Sequence, residues 1–306
     1  IRILTMTWKR VMSIVLVFLF VAMLILYWYF PSDPREFNFE LYPSTNFSDN
    51  DTNVGMQFYP DMRFPSKEIS YDINEACTLK KKAEMIEAFN ILENLTSLKF
   101  YPSSNAEIEI MCEDKVVVDN GMFIAGEGGP ANVSLGNLYS VIQNGHILLI
   151  RESKCERPNI AIHEALHVLG FDHSDNVNNI MYPVSKCRQE ISDDLIDELN
   201  RLYSVPSLPD IALEKVSAEM KNRFLNANIT LQNQGLRESG NFSIEIYADD
   251  KLIEEVEVSN TPLGAGKEII VTNILVSQIK VDRLVFSVKG LGQELNEKNN
   301  IATLEI

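Results

Sequence analysis

Three of the four histidines in the chain lie in one short stretch, at a spacing that suits a metal ion. On a helix, His163 and His167 stand one turn apart on the same face, so both imidazoles can bind one metal, with Glu164 beside them. Gly170 can take the left-handed conformation that ends a helix, and the chain can then bring in His173 as a third ligand. Three protein ligands leave one position for water, which is typical of a catalytic zinc site.

The same residues predict a hydrolase mechanism. Zinc would make a nucleophile of water at neutral pH and would polarise a carbonyl group. Glu164 would accept the proton from that water and deliver it later to the leaving amine. A bare HExxH pattern also occurs in ordinary helices, but here it is extended to a third histidine and followed by a methionine turn. The fourth histidine, His146, lies alone in a strand pattern and is interpreted as structural.

The flanking sequence predicts the elements that position these residues. Period-two alternation indicates strands, and apolar positions at helical spacing indicate helices. The glycine-rich segment 121–136 is interpreted as loops and turns around one short strand. The expected strands are 67–73, 98–101, 106–111 and 146–151, and the expected helices are 76–95, 157–169 and 192–203.

These residues resemble the metzincin signature position by position, at His163, Glu164, His167, Gly170 and His173, and Met181 fits its Met-turn. Ser174 and the Met-Tyr-Pro sequence at 181–183 are similar to the matrixin branch, and the resemblance covers roughly residues 63–203. It implies an α+β catalytic domain with a twisted mixed sheet, an active-site helix and a C-terminal helix. It also implies one catalytic zinc, peptide bound as an extended strand along a sheet edge, and Met181 as a hydrophobic floor that does not bind the metal.

Two departures from the matrixin pattern limit what is carried over. No cysteine-switch sequence precedes the domain, so latency through a thiolate is unsupported. The structural zinc of vertebrate matrixins needs further histidines, and His146 alone remains for it. Calcium bound by loop oxygens stays an open expectation without an assigned site.

All four cysteines fall within the predicted catalytic domain. An even count in an extracellular compartment favours two disulfides, and three connectivities are possible. Pairing of Cys77 with Cys112 and of Cys155 with Cys187 is favoured, because it ties the first helix to a strand and closes a loop around the zinc segment. Reduced thiols are the alternative. A thiol protease is disfavoured, since no histidine is left to activate the sulfur.

Residues 11–30 form a run of twenty without a charge. At about 1.5 Å per residue, a helix of this length spans the roughly 30 Å core of a bilayer. Arg2, Lys9 and Arg10 precede the run, so the positive-inside rule places residues 1–10 in the cytoplasm. The sequence therefore predicts a single-pass signal-anchor at the cell membrane, with the bilayer as a partner and the catalytic domain outside. A cleaved signal peptide is the alternative.

The remaining segments complete the predicted domain organisation. Residues 31–60 are rich in Pro, Asn, Asp and Ser and indicate a stalk, followed by the catalytic domain at 61–205 and a linker at 206–209. Residues 210–306 show regular short alternating runs, which predict an all-β Ig-like sandwich. The Pro-Asp-Ile sequence at 209–211 and the segment 294–300 resemble CARDB-type modules of prokaryotic surface proteins. This domain is interpreted as a spacer or a binding module of unknown ligand.

Charge and site chemistry leave three function classes. The formal net charge of −16 removes the phosphate attraction on which nucleic-acid binding depends, so no nucleic-acid partner is expected. The favoured class is a membrane-anchored zinc endopeptidase acting on protein or peptide substrates. The alternatives are a surface adhesion protein with an inactive metzincin-like domain, which the intact Glu164 disfavours, and an aminopeptidase, for which no acidic anchor for a free amine is recognisable.

Overall fold

The computed structural model describes residues 8–29, 35–40, 56–114, 118–119, 122–278 and 280–305. Two hydrophobic cores organise them, one running from Met62 to Tyr203 and the other from Ile211 to Leu304. The elements up to the second core are α1 (Trp8–Tyr29), β1 (Arg35–Glu40), β2 (Met62–Arg63), β3 (Glu68–Ile73), α2 (Leu79–Leu95), β4 (Lys99–Pro102), β5 (Ile108–Cys112), β6 (Val118–Asp119), β7 (Met122–Phe123), β8 (Gly126–Leu135), β9 (Ser140–Leu149), α3 (Asn159–Val168) and α4 (Asp193–Tyr203).

The first core is covered by a six-stranded mixed sheet. Its strand order is β2-β9-β5-β3-β4, all paired in parallel, and β8 adds to β9 in antiparallel orientation. Parallel strands need crossover connections, and α2 provides the one between β3 and β4. The predicted mixed sheet, active-site helix and C-terminal helix are therefore confirmed.

The last two helices of the catalytic region, α3 and α4, differ in how they bury their side chains. In α3 every residue except Ile160 is buried, so this helix lies inside the domain. In α4 the buried positions Leu195, Leu199 and Leu202 recur at helical spacing. The acidic side chains of its first turn stabilise the helix, because they lie at the positive end of its dipole. The helix α4 is thus a surface helix that closes the core from outside.

The glycine-rich segment differs from its prediction. Instead of loops around a short strand, residues Gly126–Leu135 form the ten-residue strand β8. Two of its glycines, Gly126 and Gly128, allow a close approach to α3, since a Cβ on Gly128 would lie 2.4 Å from the carbonyl oxygen of Glu164. Glycine allows the strand to pass directly against the active-site helix.

The predicted stalk is also wrong for part of its length. Residues Arg35–Glu40 form β1, which pairs antiparallel with β10 of the second region. Residues 56–60 belong to the catalytic region, where Met56 packs against its core. The sequence alternates Phe37 and Phe39 with polar residues, which is the strand signal that the stalk prediction overlooked. Residues 31–34 and 41–55 of the predicted stalk lie outside the described residues, as does residue 30 of the predicted span.

The helix α1 covers most of the uncharged run. Within the residues that the structure describes, no helix meets the combined requirements of length and apolar character for crossing a bilayer. The structure therefore gives no support to the span predicted over residues 11–30.

The second region is the predicted β-sandwich. Its two four-stranded sheets have the orders β1-β10-β11-β14 and β13-β12-β15-β16. The alternating runs of the sequence, at 227–231, 242–247, 252–258, 269–274, 283–288 and 301–306, correspond to β11 to β16, and β10, which follows the linker, is an additional strand that the sequence analysis does not predict. The elements are β10 (Ile211–Lys221), β11 (Phe224–Asn233), β12 (Phe242–Ala248), β13 (Lys251–Val258), β14 (Gly266–Leu275), β15 (Arg283–Lys289), a 3-10 helix (Glu297–Asn300) and β16 (Ile301–Glu305).

Both favoured disulfides are present. Cys77 bonds to Cys112 at the end of β5, and Cys155, which precedes α3, bonds to Cys187. The second bond encloses all three histidines of the predicted metal site in one loop. Its two cysteines are 32 residues apart in the sequence and those of the first bond 35, so the two disulfides close loops of nearly equal length and each can serve as a control for the other.

We expect the double variant Cys155→Ala/Cys187→Ala to lose about 3–4 kcal/mol of unfolding free energy, because the unfolded chain regains the entropy of an open loop. Urea unfolding of the zinc-loaded protein measures this. The Cys77→Ala/Cys112→Ala variant should lose a similar amount but retain zinc against a chelator as the wild type does. Equal zinc loss from both variants would contradict a local role for the second disulfide.

Candidate metal and catalytic site

The helix α3 places the first two histidines. His163 and His167 are 8% and 6% exposed, and their Nε2 atoms lie 3.0 Å apart. The one-turn spacing predicted from the sequence is therefore realised on the buried face of a helix.

The turn after α3 brings in the third histidine. Gly170 has φ of +99°, and its N–H donates to the carbonyl oxygen of His167 at 3.0 Å. A side chain at Gly170 would also meet Met62, since a Cβ there would lie 2.7 Å from its Cγ. The chain reverses, and His173 Nε2 comes to 3.2 Å from His167 Nε2. The predicted role of Gly170 in ending the helix is confirmed.

Two backbone carbonyls orient the imidazoles. His163 Nδ1 donates to the carbonyl oxygen of Ile180, and His167 Nδ1 donates to that of Phe171, both at 2.7 Å. A proton on each Nδ1 leaves each Nε2 with a free lone pair directed at the other rings. Burial lowers the pKa of His163 to about 4 and also lowers that of His167, so both stay neutral, which is the form that binds metals.

The three nitrogens fit a zinc ion. Bonds of about 2.0–2.1 Å at tetrahedral angles separate two ligand nitrogens by roughly 3.3 Å. The observed 3.0 and 3.2 Å are close to this value. Among the described residues, His163, His167 and His173 are the one group of three or more His, Cys, Asp or Glu ligand atoms close enough together to share a metal. For the calcium that the sequence left open, no such group of three carboxylates is found among the described residues.

Glu164 lies on α3 beneath β8 and is 5% exposed. A Cβ on Gly126 would lie 2.8 Å from its Cγ, so the strand covers the side chain closely. Burial and, to a lesser extent, the nearby carboxylate of Glu127 raise the pKa of Glu164 to about 8. A cation on the three histidines would lower this pKa again, which suits a group that must exchange protons near neutral pH.

Met181 is fully buried in the turn that follows the third histidine. Its N–H is held by Asn179 Oδ1 at 2.8 Å, and its carbonyl oxygen accepts from Ser174 N at 2.9 Å. Ile180, which holds His163, is its chain neighbour. The turn therefore connects the first and third histidines through the backbone. His146 lies exposed on β9, apart from the cluster of three.

Sequence reasoning missed Phe58. Its ring stacks on His167, with ring centroids 5.8 Å apart and planes inclined by 24°. Its N–H donates to the carbonyl oxygen of Gly170 at 2.9 Å, while Asp172 N donates to the carbonyl oxygen of Met56 at 2.7 Å. The segment 56–58 thus clamps the loop between the second and third histidines. The residue lies within the predicted stalk, and no motif in the sequence indicates this contact.

We expect Phe58→Ala to weaken zinc retention about twofold to tenfold, because an aromatic pair contributes roughly 0.5–1.5 kcal/mol. Competition with a chromophoric chelator measures it. Tyr59→Ala is the control, since Tyr59 is the neighbouring aromatic residue and is 49% exposed. The contact would be irrelevant to the metal site if both variants held zinc equally well.

Comparison with known proteins agrees with this architecture. Residues 44–204 match the family described as matrixin, and residues 209–304 match the CARDB family. The first match takes in all three histidines, Glu164 and Met181, and it ends within one residue of α4. The second coincides with the strands β10 to β16 of the sandwich.

Two known proteins are similar to parts of the chain, one a zinc metalloproteinase and the other a CARDB domain. The zinc metalloproteinase nas-14 of Caenorhabditis elegans is 23% identical over 162 residues, which cover 49% of this chain and 29% of the relative. The chain thus spans less than a third of the relative's length. A CARDB domain from Pyrococcus furiosus, solved in complex with di-metal ions, is 18% identical with a TM-score of 0.27, covering 32% of this chain and 87% of that domain. Since the matrixin match covers more than half of its residues, the chain belongs to the matrixin family and carries a CARDB domain after the matrixin domain.

Proposed function

We propose that the chain is a zinc endopeptidase in which His163, His167 and His173 hold the metal and Glu164 is the general base. The observation that carries the proposal is the convergence of three imidazoles, with Nε2 atoms 3.0 and 3.2 Å apart, next to a buried carboxylate. Matrixin membership and similarity to a zinc metalloproteinase support a metalloprotease.

Each side chain has a defined task in this mechanism. When bound, zinc supplies Lewis acidity that activates water near neutral pH and polarises a carbonyl group. Glu164 accepts the proton of the attacking water and transfers it to the leaving amine. The carbonyl groups of Ile180 and Phe171 keep two imidazoles in the required tautomer throughout.

The strand β8 is the proposed platform for the substrate. It pairs with β9 on one side, and no other described strand pairs with it. An extended peptide can add to such an edge through main-chain hydrogen bonds. Since β8 also lies against α3 at Glu164, a peptide paired with it would pass the catalytic carboxylate. Recognition through the main chain supports internal cleavage of extended protein segments.

The test is cleavage of a denatured protein by the purified chain. We expect cleavage to stop on chelation and to return with zinc. Cleavage positions in a peptide library then separate the activities, because an endopeptidase cuts inside blocked peptides and an aminopeptidase needs a free amine. Stoichiometric zinc binding without cleavage of any peptide would sink the proposal and favour the adhesion protein with an inactive domain.

We further propose that the enzyme acts at the outer face of the cell membrane, anchored by residues 11–30. Support comes from the uncharged run in the sequence, the preceding Arg2, Lys9 and Arg10, and two disulfides that suit an oxidising compartment. The full chain should stay in the membrane fraction after an alkaline wash, and a chain without residues 1–30 should not. Release of both by the wash would contradict the anchor.

A further inference from the structure

One corner of the sandwich holds an excess of unpaired oxygen atoms. In the described part of the chain, five buried side-chain oxygens lack a hydrogen-bond partner. Three of them, Asp210 Oδ2, Asn299 Oδ1 and Asn300 Oδ1, belong to residues at the start of β10 and at the end of the 3-10 helix, which hydrogen bonds bring together. A buried polar atom without a partner costs about 1–3 kcal/mol, so three in one place need an explanation.

Hydrogen bonds join these residues to each other and to Glu294. Asn299 Nδ2 donates to Asp210 Oδ1 at 2.9 Å, and Asn300 Nδ2 donates to Glu294 Oε2. Glu294 Oε1 accepts from the N–H of Ile211, the residue after Asp210. Asp210, Asn299 and Asn300 are 1%, 5% and 7% exposed. Three buried side chains and the half-buried Glu294 therefore form one group, in which the backbone of Ile211 connects the two hydrogen-bonded pairs.

The two asparagines have a fixed orientation. A carboxylate only accepts hydrogen bonds, so each amide must present its NH₂ group to its carboxylate partner. Each amide oxygen then faces away from that partner and finds no donor. Flipping either amide would place its oxygen against a carboxylate oxygen, so that two acceptors would face each other. The unpaired oxygens therefore do not result from a wrongly oriented amide group.

The group also carries uncompensated charge. It contains two carboxylates, and no Lys, Arg or His among the described residues makes a hydrogen bond or an ion pair with either of them. Buried charges are normally paired or bind a metal. A buried water could satisfy an amide oxygen, but it would leave both negative charges in place.

We propose that Asp210, Glu294, Asn299 and Asn300 form a binding site for a divalent cation, and that the cation is calcium. All the donors are carboxylate or amide oxygens, which are the ligands of a hard cation. Calcium accepts six to eight such oxygens in flexible geometry, including waters, whereas magnesium demands a near-ideal octahedron. The site is separate from the histidine cluster and goes beyond the proposed peptidase activity.

The place of the site gives it a structural role. Asp210 directly follows the linker, and the carbonyl oxygen of Pro209 accepts from Leu295 N at 3.1 Å. Asn299 and Asn300 directly precede β16. A calcium ion would thus tie the start of β10, where the linker from the catalytic domain ends, to β16, the last strand of the sandwich.

Equilibrium dialysis of the zinc-loaded full chain against radioactive calcium tests the proposal. We expect one calcium per chain, and at least tenfold weaker binding in Asp210→Asn, which removes a charge but keeps the shape. Asn228→Ala is the matched control, because Asn228 also has an unpaired amide oxygen and a carboxylate partner, Glu268, but stands away from this group. The control should bind calcium as the wild type does.

Hydrogen exchange provides a second measurement that shows whether each variant is folded. Calcium should slow exchange in the backbone of β10 and β16 in the wild type, leave it unchanged in Asp210→Asn, and leave α3 unchanged in both. The proposal is overturned if the folded wild type binds no calcium, or if Asp210→Asn, folded by this measure, binds it equally well. Binding that Asn228→Ala abolishes together with Asp210→Asn would overturn it too.

Discussion

Glu164→Gln is expected to lower kcat/KM for peptide cleavage by about 10²–10⁴-fold, the range that a positioned general base contributes. Glutamine has nearly the same shape, so it fits beneath β8 as glutamate does, but it cannot accept the proton of the attacking water. The three histidines keep their carbonyl partners. We therefore expect the zinc content, measured by elemental analysis, to stay at the wild-type value while cleavage is lost.

Glu127→Gln is the matched control for this experiment. Glu127 is the carboxylate that acts on the pKa of Glu164, yet it is exposed on β8. Its substitution should change kcat/KM by less than about threefold, since surface charges couple weakly. If Glu164→Gln kept more than a tenth of wild-type activity, or if both variants lost activity equally, the assignment of the general base would be wrong.

Gly128→Ala is expected to have the second largest effect. A Cβ at this position would lie 2.4 Å from the carbonyl oxygen of Glu164, and both atoms belong to regular elements that cannot move separately. The strand β8 must then shift away from α3, which costs about 1–3 kcal/mol of unfolding free energy, as overpacking typically does. The shift also moves the proposed peptide platform, so we expect kcat/KM to fall at least tenfold.

The next residue is the control for that substitution. A Cβ on Gly129 meets nothing within 4 Å, so Gly129→Ala adds the same methyl group without a contact. Urea unfolding and peptide cleavage should both stay near wild-type values. Equal behaviour of the two alanine variants would show that the close approach of β8 to α3 has no consequence for the enzyme.

The chemistry of the site could be predicted because local spacing determines it. His163 and His167 meet on any helix, and the reversal at Gly170 needs only a residue that tolerates positive φ. The orienting carbonyls of Ile180 and Phe171 could not be predicted, because every residue carries a carbonyl group and only the tertiary fold selects two of them. The same reason hides Phe58, whose role depends on a chain segment more than a hundred residues from its partner His167.

The errors in the fold have a related cause. The strand β8 contains several glycines, which local propensity assigns to turns, and only its contact with α3 makes glycine the required residue. The strand β1 is short and follows a proline-rich segment, so its partner β10, about 180 residues later, is what makes it a strand. The sandwich could be predicted because apolar and polar residues alternate regularly along its strands, a pattern that is visible within a few consecutive residues of each strand.

The pairing of β1 with β10 makes the sandwich a discontinuous domain. One of its strands precedes the matrixin domain in the chain and the others follow it, so this sheet cannot be completed until synthesis has passed the whole catalytic region. A proteolytic nick between residues 41 and 55 would also leave the two fragments associated, since six residue pairs of β1 and β10 hold them together. Release of the catalytic domain from its N-terminal segment therefore takes two events, a cut and the dissociation of a strand.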